Sequence, residues 1–347
     1  MKGQRFLVLD GLRGIAAFAV LWGHAGYGFG SSFYPHHAHL AVDFFFCLSG
    51  FVVAHAYAAR IAAGLGFWGF AKRRLIRLYP MIFAGALLGA LAFDPGWQDS
   101  LPQLVWLDAA IFCVLPIGLA FHTVPFLVDG PVWSLFFEFA ANIFYWCAAR
   151  RPVGGALAML LFIAVAAILL GLAARDAGGL ANIGASPGLV FVSGFPRIAV
   201  SFTLGVLIFR YRLHQYLPHL PDIFVAVALA ALLAMPPCPW WYELGCVLIG
   251  FPLLLCLGAE ARETPKLHKF WYWCGALSYP VYVIHQPVLR AVYRLHGNGI
   301  EGAALVLVLA WLLLRWYDEP LRRRLTQGRA PVPDGSDAPA ASWVQPE

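Results

Sequence analysis

Apolar runs of membrane-crossing length alternate along this chain with short polar joints. A helix that crosses a bilayer needs roughly 20 mostly apolar residues. Ten segments meet or approach that length, at residues 6–27, 40–60, 78–93, 131–149, 154–174, 188–209, 222–236, 240–258, 271–290 and 302–317. The shorter ones, 78–93 and 222–236, read as half-spans or steeply packed segments. The pattern predicts an all-α, polytopic integral membrane protein with about ten transmembrane helices. Residues 1–325 read as one membrane-embedded domain. Residues 326–347 are rich in Pro, Ala, Ser and Gly and read as a disordered cytoplasmic tail.

The polar joints set the expected orientation. Lys2, Arg5, Lys72, Arg73, Arg74, Arg77, Arg150, Arg151, Arg210, Arg212, Arg262, Lys266, Lys269, Arg322, Arg323 and Arg324 all fall on one side if residues 104–120 do not span. The other side keeps chiefly Arg175 and Arg294. Basic residues collect on the cytoplasmic side of membrane proteins. Both termini are therefore expected in the cytoplasm. Residues 104–120, which contain Asp108 and Pro116, read as an amphipathic or re-entrant piece on the outer side. Asp10 and Arg13 interrupt the first apolar run, and no small-x-small cleavage site ends it. It reads as a retained helix rather than a signal peptide.

Composition sharpens this picture. Hydrophobic residues make up 61% of the chain and charged residues 12%, about half of what a soluble domain carries. The net charge of +6 sits at helix ends, without a basic stripe interleaved with aromatics, so nucleic acid is not an expected partner. The seven cysteines form no CxxC pair and read as small apolar side chains.

Five stretches put polar groups where they are costly. In "LDGLRGIAAFAVLWGH", Asp10 and Arg13 can pair on one helix face. His24 points the same way three turns later, about 16 Å along the axis. In "AVDFFFCLSGF", Asp43 falls at a depth similar to His24. A carboxylate beside a histidine orients the ring and leaves its other nitrogen to act as a base. Ser49 and Gly50 of the same stretch read as close-packing residues. In "KRRLIRLYP", Arg73, Arg74 and Arg77 make a cationic cluster, suited to lipid headgroups or to phosphate oxygens. In "PVWSLFFEFAANIFYW", Trp133 is placed at an interface, Ser134 and Glu138 share a face, and Glu138 needs a cationic partner. In "ALSYPVYVIHQP", Ser278, Tyr282 and His285 share a face of a helix that Pro280 can kink. The stretch "HHAH" at 36–39 has no acidic or cysteine partner at ligand spacing, so no metal is expected.

These five stretches, in this order, resemble the membrane-bound acyltransferase 3 family. Its members are bacterial membrane proteins that acylate surface glycans and some other acceptors. The resemblance runs over roughly residues 5–325, with a looser likeness in "YDEP" near the end. It implies acyl-CoA as donor, with acetyl the expected group and no metal cofactor. It also implies that Arg74 and Arg77, with Arg73 beside them, hold the CoA phosphates at the cytoplasmic face. His24 is then essential for transfer. Arg13 would line the donor's path, and Asp10, Trp133, Ser134, Tyr282 and His285 would line the substrate site or pathway. Either Asp43 or Glu138 would partner His24. The expected acceptor is a hydroxyl of a cell-surface or lipid-linked saccharide, and the expected location is the bacterial inner membrane. General-base and acyl-histidine routes both stay open. The rival reading is a transporter or flippase for a lipid-linked sugar or small solute, because polar groups inside helices also mark transport pathways.

Overall fold

The computed structural model describes residues 6–31, 33–92, 107–108, 115–121, 124–150 and 155–326. Ten longer helices form along them: α1 (Leu7–Gly28), α2 (Ala41–Ala62), α3 (Phe67–Leu91), α4 (Val132–Ala149), α5 (Ala156–Ala177), α6 (Gly194–Arg210, preceded by a single helical turn at Leu189–Val192), α7 (Asp222–Ala234), α8 (Trp240–Ala259), α9 (His268–Arg294) and α10 (Gly299–Thr326). No strand occurs among the described residues, only an isolated bridge between Pro221 and Arg262. The protein is an all-α polytopic membrane protein. Among the described residues, eight helical stretches are long and apolar enough to cross a bilayer. The other two helices are α7, with 13 residues, and α9. At 27 residues α9 is long enough, but it carries a polar stripe that lowers its apolar character.

The helices sit close to the segments expected from the apolar pattern, with the start of α3 and the end of α10, nine residues past 317, the main differences. α3 begins at Phe67, eleven residues before the apolar run that starts at 78. The stretch from Lys72 to Arg77 is therefore helical and lies inside α3 rather than ahead of it. Basic stems pack along apolar surface while their heads stay polar, so hydropathy alone misses such a start.

Close approaches fix the directions of the helices. Gly11 and Gly14 of α1 abut Trp271 and Cys274 of α9, and farther along His24 meets His285. The two helices therefore run parallel. The face where α1 begins is called the near face here, and the face where it ends the far face. α2 and α6 also run parallel, from Asp43–Arg197 at one end to Phe51–Phe209 at the other. Gly50 and Gly205 mark their crossing, where an added Cβ would collide with the Phe202 and Cys47 carbonyls. Gly50 thus serves close packing, as its sequence context suggests.

α3 and α4 run antiparallel, since Arg74 meets Glu138 and the Leu65 carbonyl, just before α3, meets Trp146. α3 therefore ends, and α4 begins, on the far face. Most of residues 104–120 lie outside the described residues; those described include a short 3-10 turn at Ile117–Phe121. Asp108 accepts backbone N–H bonds from Leu127 and Val128, at 2.8 and 3.1 Å. The expected disordered tail lies beyond residue 326, outside the described residues apart from its first residue.

Candidate active site

The far half of the bundle holds two facing histidines. His24 is on the next-to-last turn of α1 and is exposed, while His285 of α9 is fully buried. Their rings lie 4.9 Å apart between centroids, with His285 Nε2 3.2 Å from His24 Nδ1. The backbone settles the tautomers of the neutral rings. His285 Nδ1 lies 2.6 Å from the Tyr282 carbonyl, which only accepts, so Nδ1 carries the hydrogen and Nε2 a lone pair. His24 Nδ1 faces that lone pair and, at 3.1 Å, the Val20 carbonyl. It therefore carries a hydrogen and donates it. His24 Nε2 is left with a free lone pair, the form needed in a base or a nucleophile.

The carboxylates expected beside His24 are engaged elsewhere. Asp43 is fully buried and forms an ion pair with Arg197 of α6, 2.6 Å from NH2 to Oδ2 and 3.0 Å from Nε to Oδ1. The remaining hydrogens of Arg197 go to the carbonyls of Leu180, Ile183 and His39. Every guanidinium hydrogen is used, which is how a charge pair survives complete burial. Glu138 accepts from Arg74 NH2 and from Ser49 Oγ, both at 2.7 Å. The expectation that one of the two carboxylates orients His24 is corrected: a second histidine occupies that place. Ser49 also turns out to be more than a packing residue. The shared face of α9 is real but divides among neighbours. Ser278 accepts from Arg13 Nε at 2.8 Å, Tyr282 bonds Ser134 of α4 at 2.7 Å, and His285 meets His24. Trp133 is packed inside rather than held at an interface, with the Arg197 guanidinium 5.4 Å over its ring.

The near half is cationic. Arg13 pairs with Asp10 at 3.4 Å, as its spacing predicts, and also donates to the Gly275 carbonyl at 2.9 Å. Arg74 is buried against Glu138, whereas Arg77 is exposed and Arg73 half-buried. Arg13, Arg74, Arg322 and Asp318 all act electrostatically on Arg77. Asp318, from "YDEP", is buried at the end of a π-helical turn over Leu314–Asp318 and pairs with Arg322. Arg77 is thus an exposed guanidinium among other charged groups, a side chain that suits phosphate oxygens.

Two site-forming residues escaped the sequence reading. Arg197 lies in an ordinary apolar stretch, and its isolation there, without an acidic neighbour in sequence, was the available signal. Glu243 follows two tryptophans in "PWWYEL", where nothing in the local sequence marks a partner for it. It meets His37 and His39.

Residues 6–315 match the family described as "Acyltransferase domain". One curated relative, "Protein 2 in picA locus" of Rhizobium radiobacter, is 37% identical over 193 residues, which cover 50% of this chain and 96% of the relative. No solved structure gives a significant match. With the family match covering nearly all of the helical bundle, the chain belongs to the acyltransferase domain family of membrane proteins.

Proposed function

We propose that this membrane acyltransferase uses acyl-CoA, acetyl-CoA by preference, to acylate a hydroxyl of a cell-surface or lipid-linked saccharide. His24 is the base in this reading, and the bacterial inner membrane is the location. The observation that carries it is the His24–His285 pair, which leaves His24 Nε2 unprotonated in the far half while cationic Arg77 opens in the near half. The near face is cytoplasmic in this reading, with both termini on that side, in line with the basic residues at that end of the helices.

The charged nucleotide end of the donor binds at Arg77, with Arg73 and Arg74 close by. The thin pantetheine arm carries the thioester past Arg13 toward the dyad. An acceptor hydroxyl reaches His24 from the far face. Nε2 takes the hydroxyl proton as the oxygen attacks the thioester carbon. His285 Nε2 accepts the Nδ1 hydrogen bond and so steadies the imidazolium that forms. The tetrahedral intermediate then collapses, the C–S bond breaks, and the CoA thiolate leaves. His24 returns its proton to the thiolate, giving the ester and free CoA thiol. Base assistance of this kind contributes about 10²–10⁴-fold.

Membranes carrying the intact protein or its His24→Ala form, given radiolabelled acetyl-CoA, test the reading. Label should enter a glycan or lipid-linked saccharide fraction and fall by about 10²–10⁴-fold in the variant, with the protein still present in the membrane. Undiminished labelling by His24→Ala would remove His24 from the chemistry. No label at all, with native acceptors present, would point to another donor or to transport.

A further inference from the structure

The loop that leads from α1 into α2 carries His36, His37 and His39, and no acidic residue lies within it. The fold supplies one from a distance of some two hundred positions. Glu243, on the first turn of α8, reaches the same place. Its Oε1 lies 3.3 Å from His37 Nδ1 and 2.9 Å from His39 Nε2. The three candidate ligand atoms lie within 4.8 Å of one another. His37 is 2% exposed and Glu243 5%.

The hydrogen bonds around this cluster bear on what it holds. His37 Nε2 lies 3.0 Å from the Pro236 carbonyl. A carbonyl only accepts, so Nε2 carries a hydrogen. In a neutral ring Nδ1 then points a lone pair at the Glu243 carboxylate, an arrangement that repels unless a positive charge stands there. That charge is either a second proton on His37 or a cation shared by both groups. The outer contacts match those of metal-binding residues. A ligating histidine donates its other N–H to a carbonyl or carboxylate, and a ligating carboxylate is itself hydrogen-bonded. Here His37 Nε2 donates to the Pro236 carbonyl and Glu243 Oε2 accepts the Leu180 N–H at 2.5 Å. His39 is the partly open member, with 22% of its side chain exposed, which gives an ion a way in.

We propose that His37 Nδ1, His39 Nε2 and Glu243 Oε1 bind a divalent transition-metal ion at the far face, with Zn²⁺ the best match. Two imidazoles and one carboxylate suit zinc, whereas Mg²⁺ and Ca²⁺ favour oxygen ligands. The ion would clamp three separate stretches: the loop before α2, the turn between α7 and α8, and the segment after α5 that contains Leu180. The site is independent of the acyl-transfer reading, because none of its ligands takes part in that chemistry.

The test uses the full chain purified in detergent, free of any affinity tag. Elemental analysis and Zn²⁺ titration against a chromophoric chelator give stoichiometry and affinity. One Zn²⁺ per chain is expected, with affinity falling at least about tenfold in both His39→Gln and Glu243→Gln and staying the same in His36→Gln. Zinc-edge absorption should show imidazole scattering. If the ligand variants do not stay monodisperse, the intact protein still decides the matter: its thermal midpoint should rise with Zn²⁺ and not with equal Mg²⁺. Substoichiometric binding, binding unchanged in both folded ligand variants, or a midpoint indifferent to Zn²⁺ would overturn the site and leave a doubly protonated His37 paired with Glu243.

Discussion

His285 acts on His24 through one hydrogen bond, so the chemistry of position 285 can be varied without touching the base. An asparagine there offers a carbonyl oxygen to the His24 Nδ1 hydrogen, and an alanine offers nothing. His285→Asn should keep more transfer activity than His285→Ala, and the alanine variant should show an altered pH–rate profile as well as a lower rate. Equal activity in both would mean that the His24–His285 contact at 3.2 Å has no part in turnover. A second residue-level expectation concerns Asp129, which is fully buried in the loop ahead of α4. Burial pushes its carboxyl well above the ordinary value of 3.8; Arg290 opposes the shift and Asp108 adds to it. The folded state therefore holds this proton more tightly than the unfolded chain does. Its stabilising contribution is complete below the ordinary value and is lost as pH rises from there through the raised folded value. Asp129→Asn should make thermal stability in detergent less dependent on pH over that window, with the gain at the upper end. Identical slopes for parent and variant would count against a protonated Asp129.

At the scale of elements, the α2–α6 pair shows how a membrane bundle tolerates charge. Asp43 and Arg197 are both fully shielded from solvent. Removing one partner of such a pair leaves the other charged and dry, at a cost of about 3–5 kcal/mol. Arg197→Met should destabilise more than Asp43→Asn, because the carbonyls of Leu180, Ile183 and His39 lose their donor as well. Denaturation midpoints of the purified variants check the order, and a reversed order would show that the carbonyls find other donors. The glycines lie about two turns farther along the same two helices. The close backbone approach at Gly50 and Gly205 holds α2 and α6 together along their parallel course.

For the whole molecule, the proposed donor path runs between two differently built ends. At the near end Arg74 is committed to Glu138, and Arg77 is exposed. Arg77→Ala should therefore raise the KM for acyl-CoA by about 10–100-fold, the worth of a hydrogen bond to a charged group, with thermal stability close to that of the parent. Arg74→Ala should lower stability too, because it strands the Glu138 carboxylate among aromatic residues. Initial rates across donor concentrations, with melting curves on the same preparations, separate the two. An unchanged KM in Arg77→Ala would move the phosphate site away from α3.

The apolar runs alone place most of the described helices to within a few residues, because hydrocarbon allows no unpaired backbone and only a helix satisfies its own; they miss the basic start of α3 and the polar end of α10. Spacing alone also determines neighbours on one helix, such as Asp10 with Arg13 or the shared face of Ser278, Tyr282 and His285. What spacing leaves open is which side chain a polar group meets across the bundle. Only the tertiary structure gives Asp43 to Arg197, Glu138 to Arg74 and Ser49, His24 to His285, and Glu243 to the histidines at 37 and 39. The reason is physical. In a low-dielectric interior every ionisable group must find a partner, and the partner is the one that helix crossing and close glycine contact bring near, whatever the distance along the chain.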